Sequence, residues 1–424
     1  MAAVTKTVLT AAVIVSLLVG VGIGYVVAPL VAPAAPPVGL KGDISIGCLA
    51  PLTGDLGMYG ENSKAALELA AKDVNEFLGK MGAEWRIKLE IEDTGTLPAT
   101  ALEKLTTLHG RGVELYWGPM ASSEVTAIKP YADANGLLIF SPSSTAPALS
   151  IVDDYIYRAC PNDLVQGPAI ARLMWDAGVT HVVPVWRGDA WGDGLKDATE
   201  KRFKELGGTF SEEVVRYATP PPKEFTLEAT TLADIVGRLV AEHGADKVGV
   251  LYIAFGEFTV FFMDAKKHDV LWDVRWFGSD GTCLYPGATE PEVGKFAADV
   301  KFVNTIYAPS FSPKYMKVKE HCEATLGRTP DCYVYGSYDI VWIYSLCLMA
   351  TDKYDADAVM EVLPDIAKSY FGASGWVILG PEGDRAPADY ELYAILELTP
   401  GTYEWAKVAL YSGAADEISW AIPL

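Results

Sequence analysis

Hydroxyl-bearing residues follow two short apolar runs in the first third of the chain. One such segment is residues 118–123 (GPMASS), and the other is residues 141–147 (SPSSTAP). Both are typical of turns between a strand and a helix, where the first backbone N–H groups of the helix have no partner and carry partial positive charge. Two such turns side by side predict a site for a small anion such as a carboxylate.

Motifs for metal binding or catalysis are missing from the sequence. The five histidines are scattered without paired spacing, and no HExxH, GxSxG, Walker or GxGxxG motif is present. Carboxylates such as Asp93 and Asp280 fall near predicted strand ends, but a lone acid in a cleft can equally pair with a cationic ligand. The sequence therefore predicts a protein that binds a ligand without a cofactor or metal and is not an enzyme.

Apolar strands alternate with amphipathic helices along most of the chain. The first series runs from the strand at residues 44–50 to the strand at 137–140, and the second from the helix at 164–177 to the strand at 274–277. This alternation indicates two doubly wound α/β lobes with largely parallel sheets. Because ligands sit at the carboxyl ends of strands in such sheets, we expect a cleft where the lobes face each other.

The chain is expected to cross between the lobes about three times, near Pro161, Ile306 and Gly375. A long apolar helix at 337–351 would cover a sheet, and alternating strands at 376–379, 390–398 and 403–411 close the chain. The predicted first lobe is 43–161 plus 306–374, and the predicted second lobe is 162–305 plus 375–424.

Charge and composition exclude several classes of partner. The formal net charge is −21 and the pI is about 4.6, whereas nucleic acids and anionic lipids bind clustered Lys and Arg.

Gln166 is the sole glutamine and asparagines are few, a depletion of thermolabile amides that favours a thermophilic source.

An apolar run at residues 8–27 is long enough to span a bilayer. We therefore predict a signal or anchor helix at 1–28, a proline-rich spacer at 29–42, and a folded part on the outer face of the cytoplasmic membrane, anchored or secreted. An uncleaved anchor is favoured over a signal peptide cut near 32–34. Gly20 and Gly24 have the GxxxG spacing of packed membrane helices, although glycine is common in such helices.

Six cysteines fit an extracytoplasmic location without defining a framework. Cys322 and Cys332 flank a short turn, so a local disulfide between them is one possibility. Cys48, Cys160, Cys283 and Cys347 lie in apolar surroundings, where a buried free thiol is expected.

The order and spacing of several motifs from about residue 43 to the C-terminus resemble a known family. They are IGCLAPLTG at 46–54 with Tyr59-Gly60, the two turns above, Arg158, Gln166-Gly167, WGDG at 191–194 and GSDG at 278–281. The chain resembles the solute-binding proteins of ABC transporters, specifically the leucine/isoleucine/valine-binding branch of the type I periplasmic-binding-protein fold.

The resemblance implies a role for each candidate site residue. Hydroxyls and amides of the first lobe, here Ser122, Thr145 and the backbone of Ser143, would hold the α-carboxylate of an amino acid. Asp280 of the second lobe would hold the α-ammonium. The family often has a tyrosine where this chain has Phe255, which removes one polar contact. The aromatic rings of Tyr59 and Trp191 match positions that wall the ligand.

These features predict a receptor that captures a branched or aromatic amino acid, or a related carboxylate, amide or urea-like solute, and delivers it to an ABC permease. The lobes would close about the three crossings. Two alternatives stay open: a binding fold recruited into a self-assembling surface structure through the N-terminal segment, and a ligand sensor coupled to signalling.

Overall fold

A computed structural model describes residues 39–423 of the 424-residue chain. The predicted membrane helix at 1–28 and most of the spacer lie outside the described residues. Within residues 39–423, no helix has the length and apolar character needed to cross a membrane.

The first sheet has five parallel strands in the order β2-β1-β3-β4-β5. They are β1 (Gly42–Ala50), β2 (Trp85–Asp93), β3 (Leu115–Trp117), β4 (Leu138–Ser141) and β5 (Ile156–Arg158). The helices that connect them are α1 (Gly57–Met81), α2 (Pro98–His109) and α3 (Ser122–Asn135). Apolar side chains from these strands and helices, such as Leu49, Leu105 and Val125, form a core with no exposed surface.

The second sheet has nine strands, with a parallel centre and an antiparallel edge. Its parallel strands are β6 (His181–Arg187), β7 (Thr209–Phe210), β8 (Val215–Tyr217), β9 (Val248–Ile253), β10 (Arg275–Gly278) and β11 (Val303–Tyr307). Its antiparallel strands are β12 (Tyr390–Thr399), β13 (Thr402–Ser412) and β14 (Glu417–Trp420).

Helices of the second sheet alternate with its parallel strands, as the sequence predicts. They are α4 (Asp163–Asp176), α5 (Ala190–Glu205), α6 (Thr226–His243), α7 (Phe258–Ala265) and α8 (Pro291–Asp299). The core here is rich in aromatic rings, including Phe261, Phe262 and Trp276, which pack edge to face. Such pairs add stability beyond the area that they bury.

Three later helices return to the first sheet. They are α9 (Pro313–Leu326), α10 (Tyr333–Thr351) and α11 (Ala356–Ser369). The Tyr344 hydroxyl of α10 donates hydrogen bonds to the carbonyls of Tyr116 and Leu138, which ties this helix to β3 and β4. The chain thus passes between the sheets at 159–162, at 308–312 and at 370–389. The boundaries predicted for the lobes lie in or beside these segments and stay a prediction, because sheet membership does not show where the lobes hinge.

Several local predictions were wrong. The predicted strand at 376–379 forms only isolated bridges, one of them between Leu379 and Arg385. The turn at 141–147 opens onto a three-residue 3₁₀ helix, Pro147–Leu149, instead of an α-helix. The possible disulfide is not formed, and all six cysteines are free and buried. Cys322 packs inward from α9 with no exposed surface, and Cys332 is buried beside the first turn of α10.

Candidate functional site

A small cavity of about 20 Å³ lies beyond the carboxyl ends of the parallel strands, between residues of the two sheets. The first-sheet side supplies residues from α1, from the two hydroxyl-bearing turns and from α10. The second-sheet side supplies residues that follow β6, β9 and β10. The lining residues are Leu56, Tyr59, Met120, Ala121, Ser122, Ser143, Trp191, Phe255, Asp280, Gly281 and Tyr333.

The first turn depends on Gly118, which adopts a φ of 80°. A side chain at this position would also bring its Cβ within 2.6 Å of the Leu49 carbonyl oxygen, so only glycine fits. The chain then enters α3 at Ser122. The Ser122 hydroxyl oxygen accepts hydrogen bonds from the backbone N–H groups of Thr145 (3.2 Å) and Ala146 (3.1 Å). Ser122 therefore joins the two turns, and its hydroxyl hydrogen can still be donated to a ligand.

The second turn contributes one of its two predicted residues to the pocket. Ser143 lines the cavity, and its hydroxyl donates to the Met120 carbonyl at 3.1 Å. Thr145 is buried but does not line the cavity, and its hydroxyl has no hydrogen bond of regular geometry. Of the two hydroxyl-bearing turns, only the one at 118–123 leads into an α-helix, because the turn at 141–147 is followed by a 3₁₀ helix.

Asp280 lies opposite, in the wall formed by the second sheet. Its Oδ1 accepts a hydrogen bond from Gln166 Nε2 (3.0 Å), and its Oδ2 accepts one from the Tyr333 hydroxyl (2.5 Å). Burial raises the pKa of the Asp280 carboxyl, and the hydrogen bonds from Tyr333 and Gln166 act in the opposite direction. Both of these donors are neutral, and no Lys, Arg or His within residues 39–423 forms an ion pair with this carboxyl.

Tyr333 supplies the hydroxyl that Phe255 lacks. Because the family often has a tyrosine where this chain has Phe255, the resemblance predicts one polar contact fewer at Asp280. The structure brings a tyrosine hydroxyl to the same carboxyl from α10, at the other side of the cleft. This hydrogen bond joins the two sides of the pocket.

Two stacked aromatic rings close the apolar side of the cavity. The rings of Trp191 and Phe255 lie 4.6 Å apart at an interplanar angle of 16°. The guanidinium carbon of Arg187 lies 3.9 Å from the centre of the Phe255 ring, a cation–π contact that holds this ring in place. Gly281 has no room for a side chain, because a Cβ there would lie 2.6 Å from the Trp191 ring. Trp191 and Phe255 thus line the pocket, and their contact with a ligand stays a prediction.

Tyr59 both lines the cavity and bridges its two sides. Its hydroxyl lies 3.0 Å from the Asp280 carbonyl oxygen and 2.8 Å from that of Cys283, and donates to both. Nearby, Asp55 accepts a hydrogen bond on its carbonyl from the Gly256 N–H and pairs through its carboxylate with Arg187 at 3.5 Å. These contacts describe a closed cleft.

A buried carboxyl, Glu124, lies below the first turn. Its Oε2 accepts a hydrogen bond from the Ala121 N–H at 3.2 Å, and its Oε1 has no partner of regular geometry. Burial raises the pKa of Glu124 to about 7, with a smaller opposing effect from the Thr94 hydroxyl. The carboxyl group of Glu124, beneath the turn at 118–123, is therefore mostly uncharged when the pH is below 7.

Sequence reasoning missed several residues of the site. Tyr333 and Leu56 come from segments that the motifs do not mark, and Met120 and Ala121 were recognised only as part of a turn. Gln166 was noted as part of a motif but was given no role. Gln166 lies one helical turn after the start of α4, and this position could have indicated that its side chain reaches the cleft. Within residues 39–423 no cluster of three potential metal ligands occurs.

A small cavity lined from two α/β sheets is typical of a solute-binding protein, which encloses its ligand between two lobes. The chain belongs to the periplasmic binding protein family, whose model matches residues 43–396. Within that family it falls in the type I, branched-chain amino acid branch, as the motifs predict, and the family consists of solute-binding proteins of ABC transporters and not of enzymes.

Two known proteins of similar sequence match more than four fifths of the chain. An uncharacterized protein of Methanocaldococcus jannaschii is 30% identical over 395 residues, which cover 89% of this chain and 91% of that protein. The Leu/Ile/Val-binding protein BraC3 of Rhizobium johnstonii is 25% identical, over 83% of this chain and 91% of its own length. Among solved structures, the leucine-binding protein LivK of Thermotoga maritima has a TM-score of 0.70 at 18% identity, with 86% of this chain and 97% of LivK covered.

Proposed function

We propose that the protein captures a small amino acid with a branched or aromatic side chain outside the cytoplasm and delivers it to an ABC permease. The observation that supports this proposal is that the pocket has two chemically different walls. Ser122 offers its hydroxyl at the N-terminus of α3, and Ser143 offers its backbone in the adjoining turn, which together suit a carboxylate. Asp280 offers a buried carboxyl on the opposite wall, which suits an ammonium group.

The names of similar proteins support this ligand class. BraC3 is named as a Leu/Ile/Val-binding protein, and LivK as a leucine-binding protein. The stacked rings of Trp191 and Phe255 add an apolar wall that suits an aliphatic or aromatic side chain.

A second candidate ligand is an aromatic carboxylate, or a related amide, that carries no ammonium group. Both oxygens of the Asp280 carboxyl already accept hydrogen bonds from neutral donors, and burial favours its neutral form. A neutral Asp280 requires no cation, so benzoate would satisfy the carboxylate wall and the stacked rings without a charge at Asp280.

Calorimetric titration of the full-length protein in detergent distinguishes the two candidates. Leucine, isoleucine, valine, phenylalanine and benzoate are the probes. One-to-one binding of at least one of the amino acids tighter than about millimolar supports the first proposal. Binding of benzoate alone supports the second, and binding of none of the five contradicts both.

Location and partners follow from the same proposal. A solute-binding protein of this family works outside the cytoplasmic membrane with a permease, so we propose that location here. Anchoring by residues 1–28 and self-association through Gly20 and Gly24 concern residues outside the described part of the chain. Cleavage of the leader is read directly from the mass of the natively purified protein.

A further inference from the structure

Residues 55–59 form a segment, which we call the latch, that reaches from the first sheet to the second. Tyr59 lies in the first turn of α1, and its side chain is buried. Its hydroxyl donates to the carbonyl oxygens of Asp280 (3.0 Å) and Cys283 (2.8 Å), in the short 3₁₀ turn that follows β10. Because both acceptors belong to the backbone, these hydrogen bonds do not require a particular ligand.

The latch makes a charged contact and a neutral contact through Asp55. Its carboxylate lies 3.5 Å from Arg187, but this guanidinium also donates to Asp189 (2.6 Å) and Glu257 (2.9 Å). One positive charge does not neutralise three carboxylates, so the pair with Asp55 contributes little. The carbonyl of Asp55 accepts a neutral hydrogen bond from the Gly256 N–H across the same cleft, at 3.4 Å. The neutral hydrogen bonds of the latch therefore hold the two sheets together.

Contacts within the first sheet hold the latch in place. Asp93, the last residue of β2, accepts hydrogen bonds from the N–H groups of Leu52 (2.9 Å) and Thr53 (3.2 Å) and from the Thr53 hydroxyl (2.8 Å). The Thr96 hydroxyl accepts one from the Leu56 N–H at 3.1 Å. None of these bonds crosses the cleft, so they do not depend on its closure. The latch therefore loses little conformational freedom when the cleft closes.

This arrangement gives Asp93 a role that the sequence left open. A carboxylate near a strand end can bind a cationic ligand, but Asp93 does not line the cavity. Its oxygens are engaged by the loop that leads into the latch. Asp93 therefore acts on a ligand only through the position of the latch.

We propose that the latch closes the cleft without help from the ligand, with the Tyr59 hydroxyl as its principal donor and Asp93 as its positioning residue. The inference goes beyond the proposed function, because it holds for any ligand that the pocket accepts. The latch strengthens the binding of each ligand by the same factor, by slowing its release. Selection among ligands is left to the two walls of the pocket.

Hydrogen exchange of the empty, full-length protein in detergent measures the latch without a ligand. The Gly256 amide is hydrogen-bonded across the cleft, so its protection reports the ratio of closed to open molecules. Tyr59→Phe retains the ring and removes the hydroxyl, and should lower this protection about fivefold. The Gly188 amide donates to the Tyr217 carbonyl within the second sheet, and should keep its protection.

Tyr116→Phe is the matched control. The Tyr116 hydroxyl also belongs to a buried ring and also donates to two backbone carbonyls, those of Val113 (2.8 Å) and Leu105 (3.4 Å), but on the first-sheet side alone. This variant should lower the free energy of unfolding and leave the protection of the Gly256 amide unchanged. Equal protection of that amide in the wild type and Tyr59→Phe, or an equal loss in both tyrosine variants, overturns the inference.

Leucine binding gives a second readout, by stopped-flow tryptophan fluorescence. Tyr59→Phe should leave the association rate unchanged and speed dissociation about fivefold, and Asp93→Asn should speed it about threefold. Asp246→Asn changes the net charge equally at an exposed turn and should match the wild type. An unchanged dissociation rate in Tyr59→Phe overturns the latch, and an unchanged rate in Asp93→Asn overturns the role of Asp93.

The two readouts separate the inference from the proposed function. If leucine and the other probes do not bind, the proposed function fails, and hydrogen exchange of the empty protein still decides whether the latch exists. If leucine binds and the Gly256 amide is equally protected in the wild type and Tyr59→Phe, the latch is overturned and the proposed function stands.

Discussion

The two walls of the pocket are built in different ways. The wall from the first sheet is made by neighbouring turns, since Ser122 joins residues 118–123 to residues 141–147 by local hydrogen bonds. The wall from the second sheet is assembled from distant parts of the chain, because Asp280 is held by Gln166 of α4 and by Tyr333 of α10. The first wall can therefore exist in an open protein, whereas the second is complete only when the cleft is closed.

This difference predicts how each wall responds to change. A substitution in the first wall should act on both ligand binding and local stability, because the same hydroxyl serves both. A substitution in the second wall should act mainly on binding, because its hydrogen bonds across the cleft form together with the closed state.

The largest effect on binding is expected from Asp280→Asn, which removes the charge and retains the shape. For an amino acid ligand the loss should be about 3 kcal/mol, or roughly a hundredfold in Kd, since the ammonium group would be left buried without a counter-charge. Calorimetric titration with leucine measures this, with Asp246→Asn as the control for net charge. If the variant binds leucine as tightly as the wild type does, Asp280 does not bind the ammonium group of the ligand.

Glu124 allows the first wall to be tested through pH. Its pKa of about 7 lies above the ordinary glutamate value of 4.5 that applies to the unfolded chain, so the folded state favours the protonated form. The free energy of unfolding of the wild type, measured relative to that of Glu124→Gln, should be highest below pH 4.5. It should fall by about 3 kcal/mol as the pH rises to 7. Urea unfolding across this range measures the difference.

Glu103→Gln, an exposed substitution on α2, serves as the control and should follow the wild type at every pH. A constant difference between the wild type and Glu124→Gln would show that Glu124 titrates normally in the folded protein.

Ser122→Ala is expected to have an intermediate effect, of about 1.5 kcal/mol on leucine binding, or roughly tenfold. It should also lower the free energy of unfolding, because the N–H groups of Thr145 and Ala146 lose their acceptor. Calorimetry and urea unfolding are the two readouts. Ser123→Ala removes the neighbouring hydroxyl, which does not line the cavity, and should change neither quantity.

Tyr333→Phe should have the smallest effect, of about 1 kcal/mol on binding, or roughly fivefold, with little change in stability. It removes the hydrogen bond to Asp280 Oδ2 and retains the ring. Tyr338→Phe removes a hydroxyl of the same helix that binds Asp73 away from the cavity, and should leave leucine affinity unchanged. If the two variants lose leucine affinity equally, the second wall does not depend on closure through Tyr333.

The same contrast explains how much of the molecule could be predicted from sequence. The family resemblance and the strand–helix alternation predicted the α/β fold correctly. Of the residues singled out from the motifs, the cavity is lined by Tyr59, Ser122, Ser143, Trp191, Phe255 and Asp280, whose contact with a ligand stays a prediction. These residues all lie beside turns at strand ends, where the local pattern carries positional information.

Predictions failed where long-range packing decides the outcome. Tyr333 reaches Asp280 only because α10 returns to the first sheet, and no local pattern marks that path. Thr145 does not line the cavity, and the second turn leads into a short 3₁₀ helix, which its sequence does not distinguish from an α-helix. Cys322 and Cys332 are close in sequence, yet their free thiols are buried in different packing environments.

A crystal structure of the full-length protein with bound leucine tests the central claim most directly. We predict that the leucine carboxylate accepts hydrogen bonds from the Ser122 hydroxyl and the backbone beside Ser143, with the ammonium group against Asp280 and the side chain against Trp191 and Phe255. Leucine bound in the opposite orientation, or outside the cavity, would contradict the division of the pocket into a carboxylate wall and an ammonium wall.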